Sequence, residues 1–300
     1  MTTIQERIIL VIGGTGTQGG AVVDSLLSDG WPIRVFTRDA SNIKANNLLS
    51  RGAEIIEGNL SDVASLERAI DGVYGVYSMQ SLGADSRSQI DQDLNSDTTG
   101  AEIEFQWGKN VADVAKRFGA ELLVYSSVAG VEKRAYPGAA PKYEIEKYIR
   151  SIDIPYTFIR PASFMENYQR LKRGILHGEI TRQLKPTTRE DTVAAKDIGA
   201  FVAAAFKRRD EFQGHGIDIA GDNPTMDEVA AAVTHRIGKS VTYTQMPREQ
   251  VEQRLPEGLV ALMDWIENEG YGVNIPALKE RWGVPLTTFA EWLAMTDWEQ

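Results

Sequence analysis

Cysteine is absent from these 300 residues. That excludes a disulfide framework, a cysteine nucleophile and every thiolate metal site. Histidine is scarce: His177, His215 and His235 are the only three, far apart and without ligand-like spacing, so no metal site is expected. Positive charge is in deficit, with 32 Lys and Arg against 42 Asp and Glu, a formal net charge of −10. A surface of that sign repels phosphate backbones, so direct nucleic-acid binding is not expected, although a small basic pocket remains compatible with it. Long apolar runs are missing as well. No window approaches the roughly 18 consecutive apolar residues that cross a bilayer. The opening MTTIQERIILVIGG has no basic leader and only a short apolar run, so a signal peptide is not expected and a cytoplasmic location is.

What is there is an alternation. Short apolar runs rich in β-branched or aromatic residues occur at Arg7–Ile12, Ile33–Thr37, Glu54–Glu57, Val73–Tyr77, Glu121–Tyr125 and Tyr156–Ile159. Runs with little polar alternation suit parallel strands covered on both faces. Between them the spacing is helical. Val22, Val23, Leu26 and Leu27 form one apolar face; Ile103, Trp107, Val111, Val114 and Phe118 form another. Strand and helix in turn predict an α/β fold, a Rossmann-type doubly wound parallel sheet. After Arg160 the rhythm changes. Val193–Phe206 reads as a helix, Gly216–Ala220 and Val241–Gln245 as strands, and Thr225 with Glu228 as a capping box. The expected division is residues 1–160 as the dinucleotide-binding domain and 161–300 as a smaller C-terminal α/β substrate or partner region. Trp265, Trp282, Trp292 and Trp298 fall in that second part, where core and lid packing is the expected role. Ser81–Glu104 differs in kind, with six acidic residues and one arginine among small polar ones. It reads as a solvated surface loop or as a flap over a ligand.

The most informative segment is Gly13-Gly-Thr-Gly16-Thr-Gln-Gly19, directly after the first strand and before the first helix. Glycines there permit a tight turn, close approach of backbone N–H groups to a pyrophosphate, and close packing of helix on strand. The phosphates would then sit at the helix N-terminus. No Lys-Ser/Thr follows, which excludes a P-loop. Arg38 ends the second strand, 19 residues after Gly19. Arginine there accommodates a 2′-phosphate, so NADP(H) is expected over NAD(H). Asp39, immediately next, is the residue that would favour the opposite choice.

The stretches VIGGTGTQGGAVVDSLL, VFTRD, GAEIIEGNLSD, GKNVADVAKRFGAELLVYSSV, PKYEIEKYIRSIDIPYTFIRPASFMENY and IDIAGDNPTMDEVAAAV resemble the NmrA-like family of atypical short-chain dehydrogenase/reductases. That family includes NADP-binding redox sensors and regulators, and its close relatives include NAD(P)H-dependent reductases of quinones, triphenylmethane dyes and isoflavonoids. The resemblance implies a phosphate loop of Gly13, Thr15, Gly16, Thr17, Gln18 and Gly19, with Arg38 on the 2′-phosphate. It implies Asn59 and Leu60 beside adenine, Asn59 standing where relatives usually carry aspartate. Met79 and Gln80 would lie near the nicotinamide ribose, Lys142 would be the active-site lysine, and Phe164, Met165, Glu166 and Asn167 would line the substrate side.

Departures from the superfamily pattern matter. Tyr-x-x-x-Lys normally supplies the acid/base tyrosine, but Gly138 stands four residues before Lys142. Tyr143 and Lys147 fit the spacing literally, yet the flanking sequence aligns Lys142 with the site and leaves them as members of an amphipathic helix. Tyr136 is a candidate substitute acid, and Ser127, with Ser126, a candidate for orienting substrate or a plain turn residue. Two functions follow as expectations: an NADPH-dependent reductase of a small organic acceptor, or a non-catalytic NADP(H) sensor acting through a regulatory protein partner.

Overall fold

A computed structural model of the chain describes residues 4–80, 99–133 and 137–298. Its main sheet has seven parallel strands: β1 (Ile9–Ile12), β2 (Ile33–Thr37), β3 (Glu54–Glu57), β4 (Gly75–Ser78), β5 (Leu122–Ser126), β6 (Tyr156–Pro161) and a last strand, Gly216–Ile219. Their order is β3-β2-β1-β4-β5-β6 with Gly216–Ile219 at the far edge. The chain reverses its direction of winding between β1 and β4. In an open α/β sheet, that switch point makes a crevice at the carboxyl ends of the strands.

The sheet is covered on both faces, which is why its strands are apolar throughout. Leu10, Ile12, Phe36, Val76, Leu123 and Tyr125 share one core with Leu66 of α3 (Val63–Ile70), Val111 of α4 (Gly100–Arg117) and Ile145 of α5 (Ala140–Ser151). Val35 faces the other way, against Val23 of α1 (Thr17–Ser28), close enough that a side chain on Gly14 would strike both. Each such aliphatic side chain contributes about 1.5–3 kcal/mol through burial. The helix α2 (Ile43–Ser50) follows β2, and α6 (Ala195–Lys207) crosses α1 so tightly that any side chain on Gly199 would meet the Ala21 carbonyl.

Contacts divide the chain into two units: Met1–Ser127 with Ala140–Ile159 and Gly199–Ile217, and Val128–Ala139 with Arg160–Ile198 and Asp218–Gln300. The second unit contains two short parallel pairs, Ser163–Phe164 with Thr192–Val193 and Glu179–Arg182 with Thr242–Gln245. Thr225 and Glu228 form the expected capping box on helix Met226–Ile237. Trp265, Trp282, Trp292 and Trp298 are all buried, and Trp292 packs against Phe289 and Trp298.

Strand boundaries differ from the sequence pattern in a consistent way. Arg7 and Ile8 precede β1, Val73 and Tyr74 precede β4, and Glu121 precedes β5, whereas β6 runs on to Pro161. Apolar content marks burial, not ladder pairing, and these residues enter the sheet through turns. Within Ser81–Glu104, residues 81–98 lie outside those described, while Gly100–Glu104 is not loop but the start of α4. Thr99 caps that helix, and Glu102 closes the reciprocal bond to the Thr99 N–H. Among the described residues no helix is long and apolar enough to cross a membrane, and no group of three or more His, Asp or Glu could hold a metal ion.

Candidate functional site

The carboxyl edge of the sheet carries the site. Gly13 turns with φ +76°, and its amide neighbourhood closes through the Gly16 N–H, which donates to the Gly13 carbonyl at 3.0 Å. A side chain on Gly13 would strike Met79, and one on Gly19 would run into the Gly13 carbonyl. Helix α1 therefore starts flush against the end of β1. Its cap residue is Gly16, which offers no side-chain acceptor, whereas α2, α3 and α4 are capped by Asn42, Asp62 and Thr99. There is no acidic residue in its first turn. Among the described residues no side chain caps the first N–H groups of α1, which leaves them open to an external acceptor, and the positive end of the helix dipole favours an anion.

Side chains around this turn are fixed by one another. Gln18 is buried, and its Nε2 donates to Ser126 Oγ at the end of β5, so the Gln18 side chain braces α1 against the sheet while its backbone stays in the first turn. Ser127 is buried, and its hydroxyl has no hydrogen-bond partner among the described residues. Gln80, after β4, is buried and donates to Ser78 Oγ at 2.9 Å. Lys142, at the start of α5, donates to the Gln80 carbonyl at 3.1 Å and to Glu104 Oε1 at 2.7 Å. Gly13, Gln18, Met79, Gln80, Ser126 and Lys142 are thereby brought together at the ends of β1, β4 and β5.

Arg38 follows β2 and is exposed. The neighbouring Asp39 is turned back on its own loop, where Oδ1 accepts from Ser41 N at 2.8 Å and Ser41 Oγ at 2.6 Å. Those bonds hold the Asp39 carboxyl below its ordinary range. Asn59 is half-buried, its Oδ1 accepting from Ser61 N at 3.0 Å, and the Leu60 carbonyl accepts from Asn110. Outside the glycine turn, a groove of about 430 Å³ runs between α1 and α2, lined by Thr15, Thr17, Lys44, Asn47 and Arg51 among others.

The sequence reading passed over Lys44 and Glu104. Lys44 had a faint signal, a cation just inside the cap of the helix after Arg38. Glu104 had a clear one, a lone carboxylate on the same helical face as Ile103, Trp107 and Val111; counting it with the acidic segment before α4 hid it.

The remaining candidates fall elsewhere. Tyr136 lies outside the described residues. Tyr143 and Lys147 sit together on α5, with Lys147 exposed and paired to Glu144. Phe164, Met165 and Asn167 belong to the second unit. Phe164 is half-buried, Asn167 is exposed, and Met165 is fully buried, so Met165 packs the core instead of presenting a surface to substrate. Between them, Glu166 accepts from Ala195 N at 3.0 Å and Trp292 Nε1 at 3.1 Å, capping α6. Burial raises its carboxyl above the ordinary value. His177, His215 and His235 are exposed.

The sequence profile of the NmrA-like family matches residues 5–293. The chain belongs to the NmrA-like family. An NAD(P)H azoreductase of Xenophilus azovorans is 27% identical, over 95% of this chain and 96% of its own. The nitrogen metabolite repression protein of Emericella nidulans is 23% identical, over 88% of this chain and 75% of its own. Among solved structures, the NADPH-dependent quinone oxidoreductase of Escherichia coli complexed with NADPH shares the fold, with a TM-score of 0.76, 24% identity and coverage of 96% and 98%.

Proposed function

We propose that this member of the NmrA-like family binds NADP(H) along the carboxyl edge of its sheet and is an NADPH-dependent reductase of a small organic acceptor, a quinone, an enone or a related compound. The observation that carries this reading is the start of α1 above the glycine turn, which no side chain caps among the described residues, with Lys142 pinned at Gln80 just beyond the neighbouring strand β4. The residues present suit the cofactor: a backbone cradle for a pyrophosphate, a cation after β2, and a half-buried lysine beyond β4. NADPH, when bound, supplies the hydride. Gly13, Thr15, Gly16, Thr17 and the backbones of Gln18 and Gly19 hold its phosphates, and Asn59 and Leu60 flank the adenine. Arg38 takes the 2′-phosphate; the commitment of Asp39 to Ser41 removes the acidic competitor that would favour a free ribose hydroxyl. Lys142 holds the nicotinamide ribose and stabilises negative charge developing on the acceptor. Phe164 and Asn167 remain the proposed contacts to substrate, and the second unit the region that selects it. The names of relatives support this reading: the azoreductase and the quinone oxidoreductase are both reductases.

One observation favours a second reading, a cofactor sensor acting through a protein partner. Gly138 stands where the acid/base tyrosine would stand, and the nitrogen metabolite repression protein is a relative. The two readings separate in one experiment, which follows NADPH absorbance with a panel of quinones, enones and dyes for the unmodified protein and for Lys142→Ala. A reductase consumes NADPH with at least one class, and Lys142→Ala lowers turnover more than cofactor affinity. A sensor consumes it with none.

A further inference from the structure

Glu104 is a buried carboxylate on a helix face that is otherwise apolar. Taking an ionised carboxylate out of water is strongly unfavourable unless a charge and hydrogen bonds offset it. Holding α4 to α5 does not require it. Ile145 fills the notch at Gly108, Phe105 packs edge-on to Tyr148, and Asp113 accepts from the Tyr148 hydroxyl. What Glu104 does hold is Lys142, at 2.7 Å. A lysine ammonium has three N–H donors on a flexible four-carbon stem. Among the described residues, Glu104 and the Gln80 carbonyl take two of them, which fixes the ammonium at the sheet edge and leaves the third for a ligand.

We infer that Glu104 is the positioning residue of Lys142, keeping its ammonium aimed at the carboxyl edge, where the nicotinamide half of NADP(H) binds. The inference rests on the cofactor reading above.

The test is a double-mutant cycle on the full chain, with NADPH as the probe and its affinity measured by titration calorimetry. Glu104→Gln is expected to weaken NADPH about fivefold and Lys142→Gln about tenfold, within the coupling range of groups in one network. The double variant should bind no more weakly than Lys142→Gln alone, and Glu104→Asp should recover part of the loss. A structural role would lower the melting temperature and leave this coupling absent. Should the single variants fold poorly, the uncharged pair Glu104→Leu with Lys142→Met keeps the test alive, and it should bind as weakly as Lys142→Gln. Near wild-type affinity in Glu104→Gln or in that uncharged pair, or losses that multiply in the double variant, overturns the positioning role while the cofactor reading stands. A wild-type chain that does not bind NADPH overturns both.

Discussion

At the scale of single residues, the site separates two kinds of glycine. A side chain at Gly16 meets only the Gly13 carbonyl at 3.3 Å, whereas one at Gly19 collides with that backbone outright. Gly16→Val should therefore leave the melting temperature nearly unchanged and abolish measurable NADPH binding by calorimetry. Gly19→Ala should lower the melting temperature itself. Arg38 tests the choice of cofactor. Charge-assisted hydrogen bonds to a phosphate are each worth roughly 1.5–3 kcal/mol, about tenfold to a few hundredfold in affinity. Arg38→Ala is expected to weaken NADP(H) by that factor and to leave NAD(H) almost unaffected; equal losses for both would remove the role assigned to the guanidinium. The glycine turn was legible from the sequence because the tight turn and close helix packing demand glycine there, and the place of Lys142 because it opens a readable helix. The partner of Lys142 was not, because Glu104 lies 38 positions away and reaches it only when α4 packs on α5.

At the scale of elements, most strands and helices could be read from apolar periodicity, since burial sets both the pattern and the packing. Their ends could not, because turns admit apolar residues too: Val73 is buried before β4 begins. Caps were legible where the motif was complete, as at Thr225 and Glu228, and invisible where the acceptor comes from afar. Glu166 is the instructive case. The family pattern suggests a substrate-side residue, but its carboxylate caps α6 and holds the Trp292 indole. Burial raises its pKa above the ordinary 4.5. A raised carboxyl binds its proton more tightly in the folded state. Its contribution is present below about pH 4.5 and is lost as pH rises through the folded value. Thermal melts from pH 4 to 7 should show this decline, and Glu166→Gln should flatten it; an unchanged slope would place the titration elsewhere. Thr225→Ala, which removes one arm of a capping box, should cost about 1 kcal/mol in denaturant melts.

At the scale of the whole molecule, the net charge of −10 and the intact phosphate cradle point in different directions, toward repulsion of polyanions and toward retention of one small anionic cofactor. In the proposed site, a cradle of backbone N–H groups and one arginine would overcome the mean field because it acts at hydrogen-bond range, while the acidic surface is screened within about 10 Å. Without a tyrosine at position 138, oxidation of simple alcohols lacks its usual general base, help commonly worth about 10²–10⁴-fold. Such alcohols are expected to react poorly in an NADP reduction assay, and acceptors protonated later from water to react better. The claim on which all of this depends is cofactor choice. Calorimetric titration of the unmodified protein with NADPH and with NADH, in the same buffer, tests it most directly. The account predicts binding of NADPH at least about tenfold tighter than NADH. Equal affinities, or no binding of either, would contradict it.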